Sequence, residues 1–318
     1  MTRIEERRSR LQRSLPNRLE CLMTVGHESS EAAQRAIGSV LPARETWDGA
    51  GVKIRRSIGQ RAGLYADPFL MLDEFGTDQP QEYIAGFPSH PHCGFETVTY
   101  LLEGKLRHED HLGHQGTLES GGAQWMTAGR GIVHSEMPLQ QEGRLRGFQL
   151  WINLPRSRKQ VMASYRDLGK REIPDGDWGP GCRVRILSGK VIWRDRVLRG
   201  PLTSPVTEPC FADLELQPGA VFACTVGPDE QAVLYPYEGS LAIGSVPPFR
   251  WVPSSVLIIT TPGPTVTCLA GPDGARALFL AAHPLGEPIV QYGPFVTNSQ
   301  EEMETVLTDY QNGHFPGP

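Results

Sequence analysis

Short apolar runs with a period of two recur along most of this chain, cut by turns that contain glycine. Residues 95–102 form one such run, closed by Glu103-Gly104, with residues 105–108 as the returning strand. Residues 123–127 and 132–137 flank Gly129-Arg130-Gly131, and Gly113-His114-Gln115-Gly116 and Ser120-Gly121-Gly122 mark further turns. Phe148, Leu150 and Ile152 alternate with Gln149 and Trp151. Successive strand side chains point to opposite faces, so this alternation predicts a half-buried strand. Regular structure is expected to begin near Val52. Many short strands joined by glycine turns predict an all-β sandwich or barrel. Only near the end does the period change. Ser299-x-x-Glu302 reads as a capping box, and Met303, Val306, Leu307 and Tyr310 follow at helical spacing before Gly313. One C-terminal helix is predicted, with a structural role and its stripe packed on a barrel.

A repeat divides the chain. Residues 233–241 lie 135 positions after residues 98–106, and the two share Val, Tyr, Glu, Gly and Leu at matching places. A decayed duplication, and hence two similar barrels, is the expected organisation. Residues 1–45 read as a flexible or partly helical extension, 46–170 as the first barrel, 171–290 as the second, and 291–318 as a C-terminal segment with the helix. The stretch 156–185, richer in charge and proline, would join the barrels.

The 318 residues are enough for two domains, and 39 % hydrophobic against 21 % charged residues predicts soluble cores. A net charge of −5 excludes general nucleic-acid binding, which draws on released counterions. No apolar run approaches the roughly 18 residues of a membrane span. The six arginines of residues 3–18 are interspersed with Glu5 and Glu6, unlike a mitochondrial presequence. The six cysteines include no C-x-x-C pair, so reduced thiols in the cytosol are expected, or in the nucleus of a eukaryote.

The histidines carry the chemistry. Six of nine lie between residues 90 and 134, centred on His90-Pro91-His92 and His134-Ser135-Glu136. Residues two apart on a strand share a face, so His90 pairs with His92 and His134 with Glu136. Glu96 keeps the parity of His92 if that strand is unbroken, and either carboxylate could complete the set. Three imidazoles and a carboxylate suit a divalent transition metal with open positions for water, substrate or dioxygen. His108, His111 and His114 do not converge with the others by parity and read as hairpin-surface or pocket-rim residues. Trp125, Phe148 and Trp151 read as core rather than as a substrate stack. At an offset of 135, His90, His92 and Glu96 map to Thr225, Gly227 and Gln231, so the second barrel is expected to lack a metal.

The segment His90-Pro-His-Cys-Gly-Phe-Glu-Thr-Val-Thr-Tyr-Leu-Leu-Glu-Gly104 closely resembles the first cupin motif of the pirin family, and Gln124-Trp-Met-Thr-Ala-Gly-Arg-Gly-Ile-Val-His-Ser-Glu-Met-Pro138 resembles its second. The likeness extends to residues 52–59, 67–75 and 287–298. It implies two tandem cupin (jelly-roll) barrels with one iron in the first. It also implies that Glu136 is the carboxylate ligand, beside His90, His92 and His134, while Glu96 would support a ligand from one step further out. No residue is assigned to an organic cofactor. The implied activity is that of a quercetin 2,3-dioxygenase: Fe(II), or another divalent transition metal, with a small aromatic substrate and O2, and Glu136 as base. Ring opening would insert both oxygen atoms and release carbon monoxide. The alternative drawn from animal members is a non-catalytic, iron-dependent redox co-regulator that binds a transcription factor or metabolic enzyme. Cys93 departs from the family, which usually has Arg there, and His111 stands where an apolar residue is common.

Overall fold

The fold is that of a computed structural model, which describes residues 34–202, 207–244 and 247–316. The predicted β-rich pattern holds throughout. After β1 (Ile37–Pro42) the first barrel is built from β2 (Arg44–Asp48), β3 (Val52–Arg56), β4 (Phe69–Thr77), β5 (Phe87–His92), β6 (Phe95–Glu103), β7 (Lys105–Asp110), β8 (Gln115–Glu119), β9 (Ala123–Thr127), β10 (Ile132–Pro138), β11 (Leu145–Asn153) and β12 (Ser164–Leu168). These form two antiparallel sheets, ordered β5-β10-β7-β8 and β12-β9-β6-β11-β4-β3-β2, while β1 leaves to pair with Val256–Thr260 in the eleven-stranded sheet of the second barrel. Among the described residues the first strand therefore starts at Ile37, earlier than the expected Val52. β1 is a short strand of exposed and half-buried residues, Ile-Gly-Ser-Val-Leu-Pro, whose placement comes from a partner about 220 residues away, so local pattern alone did not reveal it. Residues 1–33 of the predicted N-terminal extension, with Cys21, lie outside the described residues.

The seven-stranded sheet is covered on both faces. Along β11, Phe148, Leu150 and Ile152 enter a core shared with Phe211, Val233, Leu257, Leu278 and Leu280 of the second barrel. Gln149 and Trp151 point the other way, into the first barrel. The alternation read as half-buried is an alternation between two buried environments. A strand wet on one face and a strand facing a cavity with polar walls have the same sequence signature.

The duplication appears as a reciprocal pair of hydrogen bonds across this seam. Phe148 stands beside Tyr100 and Glu74 in the first barrel, as Leu278 stands beside Tyr235 and Asp213 in the second. Tyr100 Oη donates to Asp213 Oδ2 at 2.9 Å, and Tyr235 Oη donates to Glu74 Oε2 at 2.9 Å. Each tyrosine, 135 residues from its counterpart, thus satisfies a carboxylate buried in the opposite barrel. Two arginines at matching register, Arg146 and Arg276, flank Tyr237 with their guanidinium carbons 5.1 Å from its ring centroid. The glycines shared by the repeat, Gly104 and Gly239, both turn the chain at positive φ, +107° and +68°.

The second barrel has an apolar interior in which Phe222 and Phe279 pack among Cys182, Cys210, Cys224 and Cys268. All five described cysteines are free and buried. Burial pushes those four thiols up, leaving them neutral, so they act as small apolar groups. Helix α1 (Gln300–Gln311) begins as predicted, with Ser299 Oγ accepting from Glu302 N at 3.2 Å. Its stripe packs Met303, Val306 and Leu307 on Phe295 and Cys93, behind the β5–β6 turn of the first barrel. Among the described residues no helix is long and apolar enough to cross a membrane.

Removing one hydroxyl from the seam tests its weight. Tyr235→Phe leaves Glu74 short of a donor where water cannot replace it, and a buried acceptor left so costs about 1–3 kcal/mol. Urea denaturation should show a lower midpoint with unchanged secondary structure. A midpoint equal to wild type would mean that the pair contributes nothing net.

Candidate metal centre

Three neighbouring strands aim their inward faces at one point. β10 lies between β5 and β7, and in this register His134 stands opposite His90 and Asp110, while Glu136 stands opposite His108. The inward parity of β10 is Ile132, His134 and Glu136, all buried. His90, His92 and His134 offer ligand atoms that lie within 4.8 Å of one another, the one such histidine, cysteine or acidic group found among the described residues.

The hydrogen bonds around these rings fix which nitrogens face inward. His90 Nδ1 is 2.8 Å from Pro88 O, a carbonyl that can only accept, so Nδ1 carries the proton and Nε2 is left with a lone pair. That Nε2 is 3.0 Å from Nε2 of His92. His134 turns Nδ1 toward His108 at 3.3 Å, and its buried Nε2 has no hydrogen-bond partner among the described residues. Opposed ring nitrogens and an orphaned buried ring nitrogen are costly unless a cation accepts their lone pairs. Burial, and then the neighbouring imidazoles, hold His92 and His134 well below the ordinary histidine range. Both are therefore neutral and able to donate to a metal without first losing a proton. The residues present fit a divalent transition ion.

Glu136 lines the same cavity, buried, with its Oε1 accepting from Thr99 Oγ1 at 2.9 Å; that hydroxyl is also 2.6 Å from Gln149 Oε1. It is not one of the three residues whose ligand atoms cluster within 4.8 Å. The cavity measures about 730 Å³ and is walled by Ile54, Met71, Phe75, Phe87, Leu106 and Trp151. Trp151 stacks on Phe95 at 4.3 Å and meets His92 edge-on at 5.1 Å. It is thus both buried and cavity-lining, whereas Trp125 and Phe148 belong to the core between the barrels. On the polar side Arg56 clamps both oxygens of Asp73, at 2.8 and 2.6 Å. Burial raises the Asp73 carboxyl to about 6 despite that clamp.

Glu96 does not join the cluster. It accepts from Thr127 Oγ1 at 2.8 Å and lies on the face of β6 that carries Val98 and Tyr100 into the inter-barrel core. The expected parity fails because the strand is broken. Gly94, at φ +87°, turns the chain from one sheet into the other, and a Cβ there would meet Val296 O at 1.8 Å. His108 departs from expectation the other way. It is buried against His134 and the Tyr165 ring rather than on the hairpin surface. The signal was its parity with the apolar Leu106, which also faces inward. His111 and His114 are exposed, His114 bonded to Asp110 at 2.9 Å. Cys93 is buried under α1, its thiol raised to about 11 by burial. The nearby ammonium of Lys159 bonds Gly94 O and Asn153 Oδ1, both at 2.7 Å, so a cation does stand beside this turn.

Two tandem cupin barrels with a three-histidine cluster in the first define a bicupin of the metal-binding type. Residues 51–152 match the Pirin family and residues 211–316 match the Pirin C-terminal cupin domain, so the chain belongs to the pirin family. It is 48% identical over 266 residues to a Pseudomonas aeruginosa protein provisionally named a quercetin 2,3-dioxygenase, covering 84% of this chain and 93% of that one. It is 38% identical over 285 residues to rat pirin, covering 88% and 94%. The crystal structure of a quercetin 2,3-dioxygenase from Acinetobacter baumannii superposes with a TM-score of 0.81 at 28% identity, covering 89% of this chain and 99% of that one.

Two measurements follow from the geometry. Zinc titration of wild type should saturate at one tightly bound equivalent, and His134→Ala should lose it while circular dichroism stays unchanged. Two tight equivalents in wild type would contradict the site as drawn. The second measurement is pH-dependent. Below about 6.5 an unfolded chain protonates His92 and His134 while the folded chain keeps them neutral, so stability is full above that pH and falls as pH drops through it, by up to about 1.4 kcal/mol per pH unit for each group. Urea denaturation of the metal-free protein should show wild type losing stability between pH 7 and 5 relative to a His92→Leu, His134→Leu double variant. The Asp73 contribution is common to both and cancels. Parallel pH profiles would show that the two histidines titrate normally.

Proposed function

We propose that this protein is a metal-dependent dioxygenase of the quercetin 2,3-dioxygenase type, with Fe(II) held by His90, His92, His134 and Glu136. The observation that carries the reading is that His90 and His92 of the three-histidine cluster, with Glu136, line a cavity of about 730 Å³ with apolar and aromatic walls. That volume falls in the range of pockets that enclose a small organic molecule. Bound there, iron would supply Lewis acidity and redox capacity toward dioxygen.

The chain's own residues do the rest. Met71, Phe75, Phe87 and Trp151 give flat apolar walls that admit an aromatic substrate and exclude water from its face. Glu136 is the carboxylate nearest the cluster along β10, and it takes the proton from the substrate's enolic hydroxyl. Thr99 holds that carboxylate in place through the bond to Oε1. For a flavonol the ring opens, both atoms of one O2 enter the product, and carbon monoxide leaves. The names of the relatives support this substrate class, as do the aromatic walls of the cavity.

The test is an oxygen electrode with iron-loaded protein and a panel of flavonols, enediols and catechols. Quercetin should drive oxygen uptake that a chelator stops. Glu136→Gln should lose metal affinity and turnover, whereas Glu96→Gln, altered on the far face of the sheet, should keep both within a few-fold. Uptake no faster than that of Glu136→Ala across the whole panel would reject the enzyme reading and leave the iron-dependent co-regulator. Loss of metal in Glu96→Gln but not in Glu136→Gln would reverse the carboxylate assignment.

A further inference from the structure

We propose that His108 is a positioning residue of the metal centre, holding His134 in the tautomer and ring orientation that present Nε2 to the ion. This rests on the reading of His134 as a ligand. His108 is 2 % exposed, on the inward face of β7, and its Nδ1 lies 3.3 Å from Nδ1 of His134. The ring centroids are 4.9 Å apart. Its cross-strand partner on β10 is Glu136, so it stands beside the ligand strand, next to His134.

The contact leaves two arrangements. A neutral imidazole carries one N–H and one lone pair, so two facing Nδ1 atoms bond only if one donates and the other accepts. When His134 Nδ1 donates, its Nε2 is bare and can bind a metal. When His108 Nδ1 donates, the proton of His134 sits on Nε2 and blocks the site. Metal binding therefore selects the first arrangement, and His108 is the acceptor that makes it available. The same logic operates at His90, where Pro88 O takes the Nδ1 proton.

The selected arrangement places the proton of His108 on Nε2, a buried atom with no hydrogen-bond partner among the described residues. Its ring lies against Tyr165, centroids 4.9 Å apart. An unmatched buried N–H costs stability. A histidine kept only for packing at this position would be improved upon by a hydrocarbon of similar size. Serving the ligand explains why a polar ring stands there, and it separates the two roles by experiment.

Zinc is the probe, because it is diamagnetic and needs no turnover. His108→Leu should bind zinc about 10–100-fold more weakly than wild type, the usual effect of removing a ligand's supporting partner. The metal-free His108→Leu protein should melt no lower than wild type. His108→Gln, whose amide oxygen can accept from His134 Nδ1–H, should recover most of the affinity. Nitrogen-15 NMR of the zinc-loaded wild type, which needs no variant, should find a proton on His134 Nδ1 and a bare Nδ1 on His108. Wild-type zinc affinity in His108→Leu, or a His134 Nδ1 without a proton in the zinc-loaded protein, overturns the proposal. Wild-type affinity in His134→Ala would instead overturn the ligand reading beneath it, so the two failures are told apart.

Discussion

The structure depends on burying the outer face of one barrel against the outer face of the other. The seven-stranded sheet has no wet side along β6 and β11: one face closes the seam and the other closes the cavity. Apolar burial between the barrels supplies the driving force, at roughly 25 cal/mol per Å². The reciprocal bonds Tyr100–Asp213 and Tyr235–Glu74 then favour one register, because a carboxylate in that environment must find its hydrogen-bond donors or bear the cost of desolvation. A slip of one residue along either strand would expose Phe148, Leu150 and Ile152 to the cavity and turn Gln149 and Trp151 into the seam. The inner face of this sheet lines the cavity with Thr99, Gln149 and Trp151, while the histidines stand on the four-stranded sheet.

The site itself is preorganised by desolvation. Burial disfavours the protonated forms of His92 and His134, and the neighbouring imidazoles add to this, so the ligands wait neutral. The chain braces this arrangement from its far end. Cys93 N donates to Pro294 O at 3.3 Å and Val296 N donates back to Cys93 O at 2.9 Å. Pro294 also lines the cavity, and α1 packs behind the same turn. The C-terminal segment is thereby a wall of the first barrel's site, although the second barrel precedes it in sequence.

Much was legible in the linear pattern. Period-two runs between glycine turns identified the β architecture, the repeat between residues 98–106 and 233–241 identified its duplication, and Ser299-x-x-Glu302 marked the helix start. These are local properties, set by backbone sterics and by which face of an element avoids water. His90, His92 and His134 were legible as a group because two H-x-H or H-x-E pairs place like residues on one strand face, and β10 carries that face next to β5.

What the sequence could not decide was everything that turns on which strand borders which. Glu96 shares the parity of His92 on paper, yet Gly94 moves it to another sheet and the opposite face. His108 looked like hairpin surface, yet pairing of β7 with β10 buries it against His134. β1 is short and interrupted by Gly38 and Pro42, and it passes for a tail until Val256–Thr260 pairs with it. The physical reason is common to all three. Strand hydrogen bonds are made between segments distant in the chain, and a strand's own residues fix its two faces but not what either face will meet.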